Sequence, residues 1–157
     1  MKHIISLLLL LVGYVVAEGN SSGTHNISFA TTEGTWMSVD MSPNGKTIAF
    51  DLLGHIYLLP ISGGKARAIT NGTSWNMFPR FSPDGNTILF TSDRSGSDDL
   101  WTQDLSSGEM KNISGMKFPV HQGTWSNDSR HVFGTALNMK VRHPVYMFNM
   151  YGEKQEI

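Results

Sequence analysis

Along this chain, short stretches alternate large apolar and small or polar residues with a period of two. Ile48, Phe50 and Leu52 alternate with Thr47, Ala49 and Asp51, the pattern of a strand with one buried face, which the larger apolar set marks. Ile88 and Phe90 repeat it. Each strand follows a turn phrase, Ser42-Pro43-Asn44-Gly45 and then Ser82-Pro83-Asp84-Gly85. Pro presets φ at the first corner, Asn or Asp bonds its own backbone, and Gly accepts positive φ. A third strand comes next, His55-Ile56-Tyr57-Leu58-Leu59 in one copy and Asp99-Leu100-Trp101-Thr102-Gln103 in the other. Hairpins at Ser62-Gly63-Gly64-Lys65 and Ser106-Ser107-Gly108-Glu109 lead to fourth strands ending in Ala68-Ile69-Thr70 and Asn112-Ile113-Ser114.

The two copies lie 40 residues apart at the turn and 44 at the third strand. The extra residues sit in Ser92–Asp98, a stretch too rich in Gly, Ser and charge to be strand. A third copy begins at Trp125-Ser126-Asn127-Asp128-Ser129, with neither Pro nor Gly in its turn, so that turn is expected to be less regular. Val145-Tyr146 echoes Ile56-Tyr57 and Leu100-Trp101, and Ile157 stands 44 residues after Ile113. A repeat of roughly 40–45 residues made of four short strands is the signature of β-propeller blades. The expected fold is therefore all-β, a partial β-propeller of about three four-stranded blades, near 35–74, 75–118 and 119–157. A ring usually needs roughly four to eight blades.

Ahead of the first blade, residues 18–34 form a lead-in, in which Asn26–Thr31 reads either as a ring-closing strand or as an ordinary entry strand. Residues 1–17 read as a secretory signal peptide: Lys2 and His3, an apolar run from Ile4 to Val12, then Val15-Val16-Ala17 as the cleavage site. The run is shorter than the roughly 20 residues that span a bilayer. The chain is thus expected to be secreted or periplasmic, with no membrane attachment after cleavage. It has no Cys, and its formal charge of −1 points neither to nucleic acid nor to an anionic membrane. Five Asn-x-Ser/Thr sequons, at Asn20, Asn26, Asn71, Asn112 and Asn127, read as chance in a turn-rich chain.

The segment Phe81-Ser82-Pro83-Asp84-Gly85 through Phe90-Thr91-Ser92-Asp93-Arg94-Ser95-Gly96 resembles the TolB-type, WD40-like propeller repeat. It is unlike a true WD40 repeat, because no Trp-Asp pair ends any blade. Glu33-Gly34-Thr35-Trp36 and Gly63-Gly64-Lys65-Ala66 further resemble the opening of secreted amidohydrolases that carry a TolB-like propeller before a metal-dependent barrel. That resemblance implies a parent whose hydrolase domain would bind zinc or another divalent metal. The barrel is absent here, and none of the six His stand in a His-x-His pair. No catalytic residue, cofactor site or metal site is assigned to this chain.

No Gly-x-Ser-x-Gly elbow, His-Glu-x-x-His or phosphate-binding Gly loop occurs. His121, His131 and His143 match no standard zinc spacing and read as solvated or hydrogen-bonded. Asp93, Asp98 and Asp99 with two Ser hydroxyls offer oxygens of the kind calcium needs, but the EF-hand order is missing. Arg94 lies among them, so salt bridging inside the loop is the expectation. Trp36, Trp101 and Trp125 occupy repeat positions and read as core, whereas Trp75 falls in an inter-blade loop as a candidate partner contact, together with Asp93, Arg94, Asp98 and Asp99. Two function classes remain. One is a non-catalytic module that binds a protein or peptide or self-associates, two copies supplying about six blades. The other is the N-terminal propeller of a metal-dependent amidohydrolase, scaffolding or gating a missing C-terminal domain.

Overall fold

The computed structural model describes residues 36–137 and 143–157. The signal peptide at 1–17 and the lead-in at 18–34, with its Asn26–Thr31 strand, lie outside the described residues. Twelve strands are seen among those described: β1 (Val39–Met41), β2 (Thr47–Leu52), β3 (His55–Pro60), β4 (Arg67–Ala68), β5 (Asn76–Phe81), β6 (Thr87–Ser92), β7 (Asp99–Asp104), β8 (Met110–Asn112), β9 (Val120–Trp125), β10 (His131–Ala136), β11 (Val145–Asn149) and β12 (Lys154–Glu156). They form three four-stranded antiparallel meanders, β1–β4, β5–β8 and β9–β12, one per blade.

The β1–β2 turn closes by Gly45 N–H donating to Ser42 O at 2.8 Å and Thr47 N–H to Ser42 Oγ at 2.9 Å, with Gly45 at φ 68°. The Ser82 turn repeats these bonds at 2.8 and 3.0 Å. So does the Ser126 turn, contrary to the expectation of irregularity. There Asp128 Oδ1 accepts the Arg130 N–H at 2.9 Å, and Ser129 takes the glycine's place at φ 57°. The same economy appears at the blade ends: Ile69, Ile113 and Ile157 donate their N–H groups to the carbonyls of Ile56, Leu100 and Val145 at 2.8, 2.8 and 3.0 Å.

Each blade has a leading face toward the preceding blade and a trailing face toward the next. Between blades 1 and 2, Ala49 and Ile56 pack on Phe81, Ile88 and Phe90. Between blades 2 and 3, Leu89, Leu100 and Ile113 pack on Val120, Val132, Ala136 and Phe148. Gly134 makes the second junction possible, because a Cβ there would stand 2.7 Å from Leu100 Cδ1 and 2.8 Å from Val120 Cγ1. It holds the position that Phe50 and Phe90 hold in blades 1 and 2.

Two expectations fail for one reason. In β2 the buried residues are Ala49 and Asp51, while Ile48, Phe50 and Leu52 are half-buried. Trp36, expected in the core, is fully exposed, although Asn76 and Val120, its counterparts six residues before the Ser turn, are fully buried. Strand alternation puts Ile48, Phe50 and Leu52 on the leading face of blade 1, which no described segment covers. Trp101 and Trp125 pack against the two cores as expected.

Candidate interaction surface

The β2–β3 hairpin turns through two residues, Leu53 at φ 51° and Gly54 at φ 79°. Positive φ at both central positions is the type I′ geometry that suits strand twist. At this place blade 2 has instead the polar loop from Asp93 to Asp98. The short turn leaves a cleft of about 580 Å³ at the blade 1–blade 2 junction, walled by Trp36, Met37, Leu53, Trp75, Met77 and Phe78. Trp75 forms one wall by lying over Gly54, where a Cβ would meet its Cε3 at 3.0 Å. Its side is more than half exposed, as are Leu53 and Trp36.

The polar frame of the cleft is satisfied from within. Asp51, buried, accepts the Ser38 N–H at 2.9 Å and the Phe78 N–H at 2.8 Å, and so ties β1, β2 and β5 together. Phe78 takes φ 57° at a bulge in β5, which turns its ring to the cleft rim. Asn76 Nδ2 donates to Gly54 O at 2.7 Å. With its polar groups paired, the cleft offers a partner apolar surface rather than hydrogen bonds.

The five contact candidates do not converge. Asp93 Oδ1 accepts the Trp75 N–H at 2.8 Å, which fixes the tryptophan over the cleft. Arg94 runs back between blades 1 and 2. It donates to Ser92 Oγ at 3.1 Å and Asn76 Oδ1 at 2.8 Å and lies over the Phe90 and Trp101 rings at 5.6 and 5.0 Å. Burial works against its charge, partly offset by nearby Asp93. Asp98 meets His121 Nε2 at 3.2 Å across the next junction. Asp99 is buried and accepts Ser95 Oγ and Ser114 Oγ at 2.6 Å each and Asn112 Nδ2 at 3.0 Å. Burial pushes its carboxyl up, but the bonds from Ser114, Ser95, Asn112 and the Met116 N–H outweigh this and hold it below the usual range.

The salt bridging expected around Arg94 is therefore not what the loop does. Ring faces, a hydroxyl, an amide and the Met110 sulfur hold the guanidinium, and hydroxyl and amide donors hold Asp99. Among the described residues no three His, Cys, Asp or Glu side chains gather as metal ligands. The repeat pattern does not single out Met37, Leu53, Met77 and Phe78. The available signal was Leu52-Leu53-Gly54-His55, an apolar two-residue turn where the next repeat carries a polar loop.

Comparison with known proteins agrees with this architecture. A family profile described as PD40, TolB beta propeller domain, matches residues 16–156. The Tol-Pal system protein TolB of Bordetella pertussis is 40% identical over 58 residues, 36% of this chain and 13% of that protein. Dipeptidyl-peptidase 5 of Porphyromonas gingivalis is 26% identical over 118 residues, 71% of this chain and 16% of the peptidase. The chain thus spans less than a fifth of the length of these curated relatives. The solved structure of a putative TolB from Agrobacterium tumefaciens shares the fold, with a TM-score of 0.69 at 22% identity over 80% of this chain and 50% of that one.

Proposed function

The chain belongs to the TolB β-propeller domain family, and from that membership we propose that it is a non-catalytic propeller module that binds protein, with the Trp75 cleft and the adjoining leading face of blade 1 as its docking surface. The observation that carries this reading is the apolar cleft of about 580 Å³, whose polar groups are bonded internally. Exposed aromatic and Met side chains around such a cleft are the composition of protein contact sites. The module works without a cofactor of its own, outside the cytoplasm, where the N-terminal signal would send it, and its net charge of −1 suits a protein partner rather than nucleic acid.

The test is selection of phage-displayed peptides on the purified chain, with Trp75→Ala as counter-selection. Peptides that lose at least tenfold in affinity on Trp75→Ala support the reading. Binding indifferent to that change overturns it, as does turnover of peptide substrates by the purified chain. A second reading is favoured by one observation, that 71% of this chain aligns with a sixth of a peptidase. In it the propeller scaffolds or gates a hydrolase domain, with its own metal in an amidohydrolase parent, and the same leading face is covered by further blades of that protein.

A further inference from the structure

Two Asn-Gly pairs occur in this chain, Asn44-Gly45 and Asn71-Gly72. Such a pair is prone to lose the asparagine's side-chain amide, because glycine has no side chain to shield its nitrogen and little to restrain its backbone. Both asparagines are exposed. A Cβ built on Gly45 or Gly72 would meet nothing within 4 Å, so neither pair is guarded by crowding. Hydrogen bonding separates them.

Asn44 sits in the Ser-Pro-Asn-Gly turn. Its Oδ1 accepts the Ser42 hydroxyl at 2.8 Å and the Lys46 N–H at 3.0 Å, the latter being the side-chain-to-backbone bond that asparagine makes in turns. The Gly45 N–H donates to Ser42 O at 2.8 Å. The nitrogen that would attack and the amide it would attack are thus both engaged. Asn71 and Gly72 lie in the loop between blades 1 and 2. Among the described residues, neither the Asn71 side chain nor the Gly72 N–H makes a hydrogen bond. What comes before and after them is held. Thr70 is buried, and its Oγ1 accepts the Ile56 N–H at 2.9 Å. The Ser74 carbonyl accepts Asn76 Nδ2 at 2.9 Å, and the Trp75 N–H donates to Asp93 Oδ1 at 2.8 Å. Residues 71–73 therefore form a loosely held span between two anchors.

We propose that Asn71 is a site of spontaneous deamidation and that its turn protects Asn44 from the same reaction. The Gly72 nitrogen attacks Asn71 Cγ. An N–Cγ bond forms, the Cγ–Nδ2 bond breaks, and the side-chain amine leaves as ammonia with the proton that the Gly72 nitrogen gives up. Water opens the resulting succinimide at either carbonyl, to aspartate or to isoaspartate. Either product places a carboxylate in the span that leads to Trp75, and isoaspartate also lengthens the main chain there by a methylene. At Asn44 the turn bonds must open first. Each such bond shifts that equilibrium by roughly two- to tenfold, so Asn71 is expected to react at least about tenfold faster than Asn44.

The experiment is incubation of the purified chain at mildly alkaline pH, folded and in urea, with peptide mapping by mass spectrometry at intervals. Fragmentation assigns each amide-to-acid change to its residue. In the folded chain Asn71 should convert while Asn44 lags by at least about tenfold. In urea the two rates should converge, because both are then unstructured Asn-Gly pairs. Ser42→Ala removes the hydroxyl bonded to Asn44 Oδ1 and should speed conversion of Asn44 while leaving that of Asn71 unchanged. Circular dichroism checks that this variant is folded, and the comparison with urea stands without it. Asn44 converting as fast as Asn71 in the folded chain overturns the proposal. So does conversion of Asn71 in urea alone, which means that the fold guards that loop. A rate difference as large in urea as in the folded chain also overturns it, since the neighbouring residues rather than the turn bonds would then set the order.

Discussion

Replacing Asp99 tests whether the acidic loop is a structural latch. The carboxylate is 3% exposed and receives Ser95 Oγ and Ser114 Oγ at 2.6 Å and Asn112 Nδ2 at 3.0 Å. Ser114 Oγ in turn accepts the Leu100 N–H at 2.9 Å, so the latch holds β7 to the segment after β8. Hydrogen bonds to a charged group are worth about 1.5–3 kcal/mol each and share their effect when they act together. Asp99→Ala, which strands the buried Ser114 hydroxyl, should therefore cost about 3–4 kcal/mol. Asp99→Asn keeps the shape but turns an amide donor toward donors, for about 2 kcal/mol. Urea denaturation followed by circular dichroism reads both, and the Ala variant should melt about 10 °C lower. The pH dependence has a definite sign. A carboxyl held below its unfolded value stabilises fully above the ordinary carboxylate range, and that contribution is lost as pH falls through the folded value. The gap between parent and Asp99→Asn should thus be widest near neutrality and narrow in acid. An Asn variant as stable as the parent at pH 7, or a gap that widens in acid, would refute the latch.

Gly134→Val drives a side chain into Leu100 Cδ1 and Val120 Cγ1, which would lie 2.7 and 2.8 Å from its Cβ. A loss of about 1–3 kcal/mol is expected in the same denaturation assay. Ser129→Gly relieves a left-handed residue at φ 57° but gives up the Asp84 N–H bond to Ser129 Oγ at 3.1 Å, so a net gain below about 1 kcal/mol is expected, and a loss would show that the hydroxyl matters more than the φ. The Asp104 carboxyl is pulled down to about 2 by the Ser106 hydroxyl and then by Ser107. NMR titration of Ser106→Ala should find it moved up toward the ordinary carboxylate range, with no change in the titration of Asp128.

The local features were legible in the sequence because they depend on few residues. Ser-Pro-Asx-Gly specifies its turn by φ and by one hydroxyl, and the strands follow at fixed distance. The failures came where the answer depends on what lies beside the blade. Alternation separates the two faces of β2 but does not say which is covered, and the large residues Ile48, Phe50 and Leu52 mark a face meant for a neighbour. Trp36 follows the same logic, since its buried counterparts Asn76 and Val120 lie where a blade precedes theirs, whereas no described segment precedes Trp36. The turn without Pro and Gly stays regular because it tolerates Ser129 at φ 57° when Asp128 and Ser126 supply the other bonds. Arg94 looked like an ion partner by proximity in sequence, while folding carries its guanidinium to Asn76, Phe90 and Trp101. The cleft lies where blade 1 has the apolar turn Leu53-Gly54 in place of the polar loop of blade 2, a signal visible only when the two repeats are set side by side.

These differences among equivalent positions decide what the open faces mean. Blade 2 buries Ile88 and Phe90 on one side and Leu89 and Leu100 on the other, all fully. Burying an aliphatic or aromatic side chain of that size contributes about 1.5–3 kcal/mol. Among the described residues, blades 1 and 3 each obtain this from one side only. An ordinary solvent-facing sheet would carry polar residues on its outer face, as a terminal repeat that caps a stack does. Val39, Met41, Phe50 and Tyr57 on blade 1, and Phe133, Val145 and Ile157 on blade 3, are the opposite of a cap. Among the described residues these faces are therefore unfilled, and covering them would recover a contribution comparable to one internal junction at each face. Charge at an exposed position of either face should be tolerated by the fold: Met41→Glu and Val145→Glu are each expected to leave the internal junctions intact, with a stability in urea denaturation within about 0.5 kcal/mol of the parent.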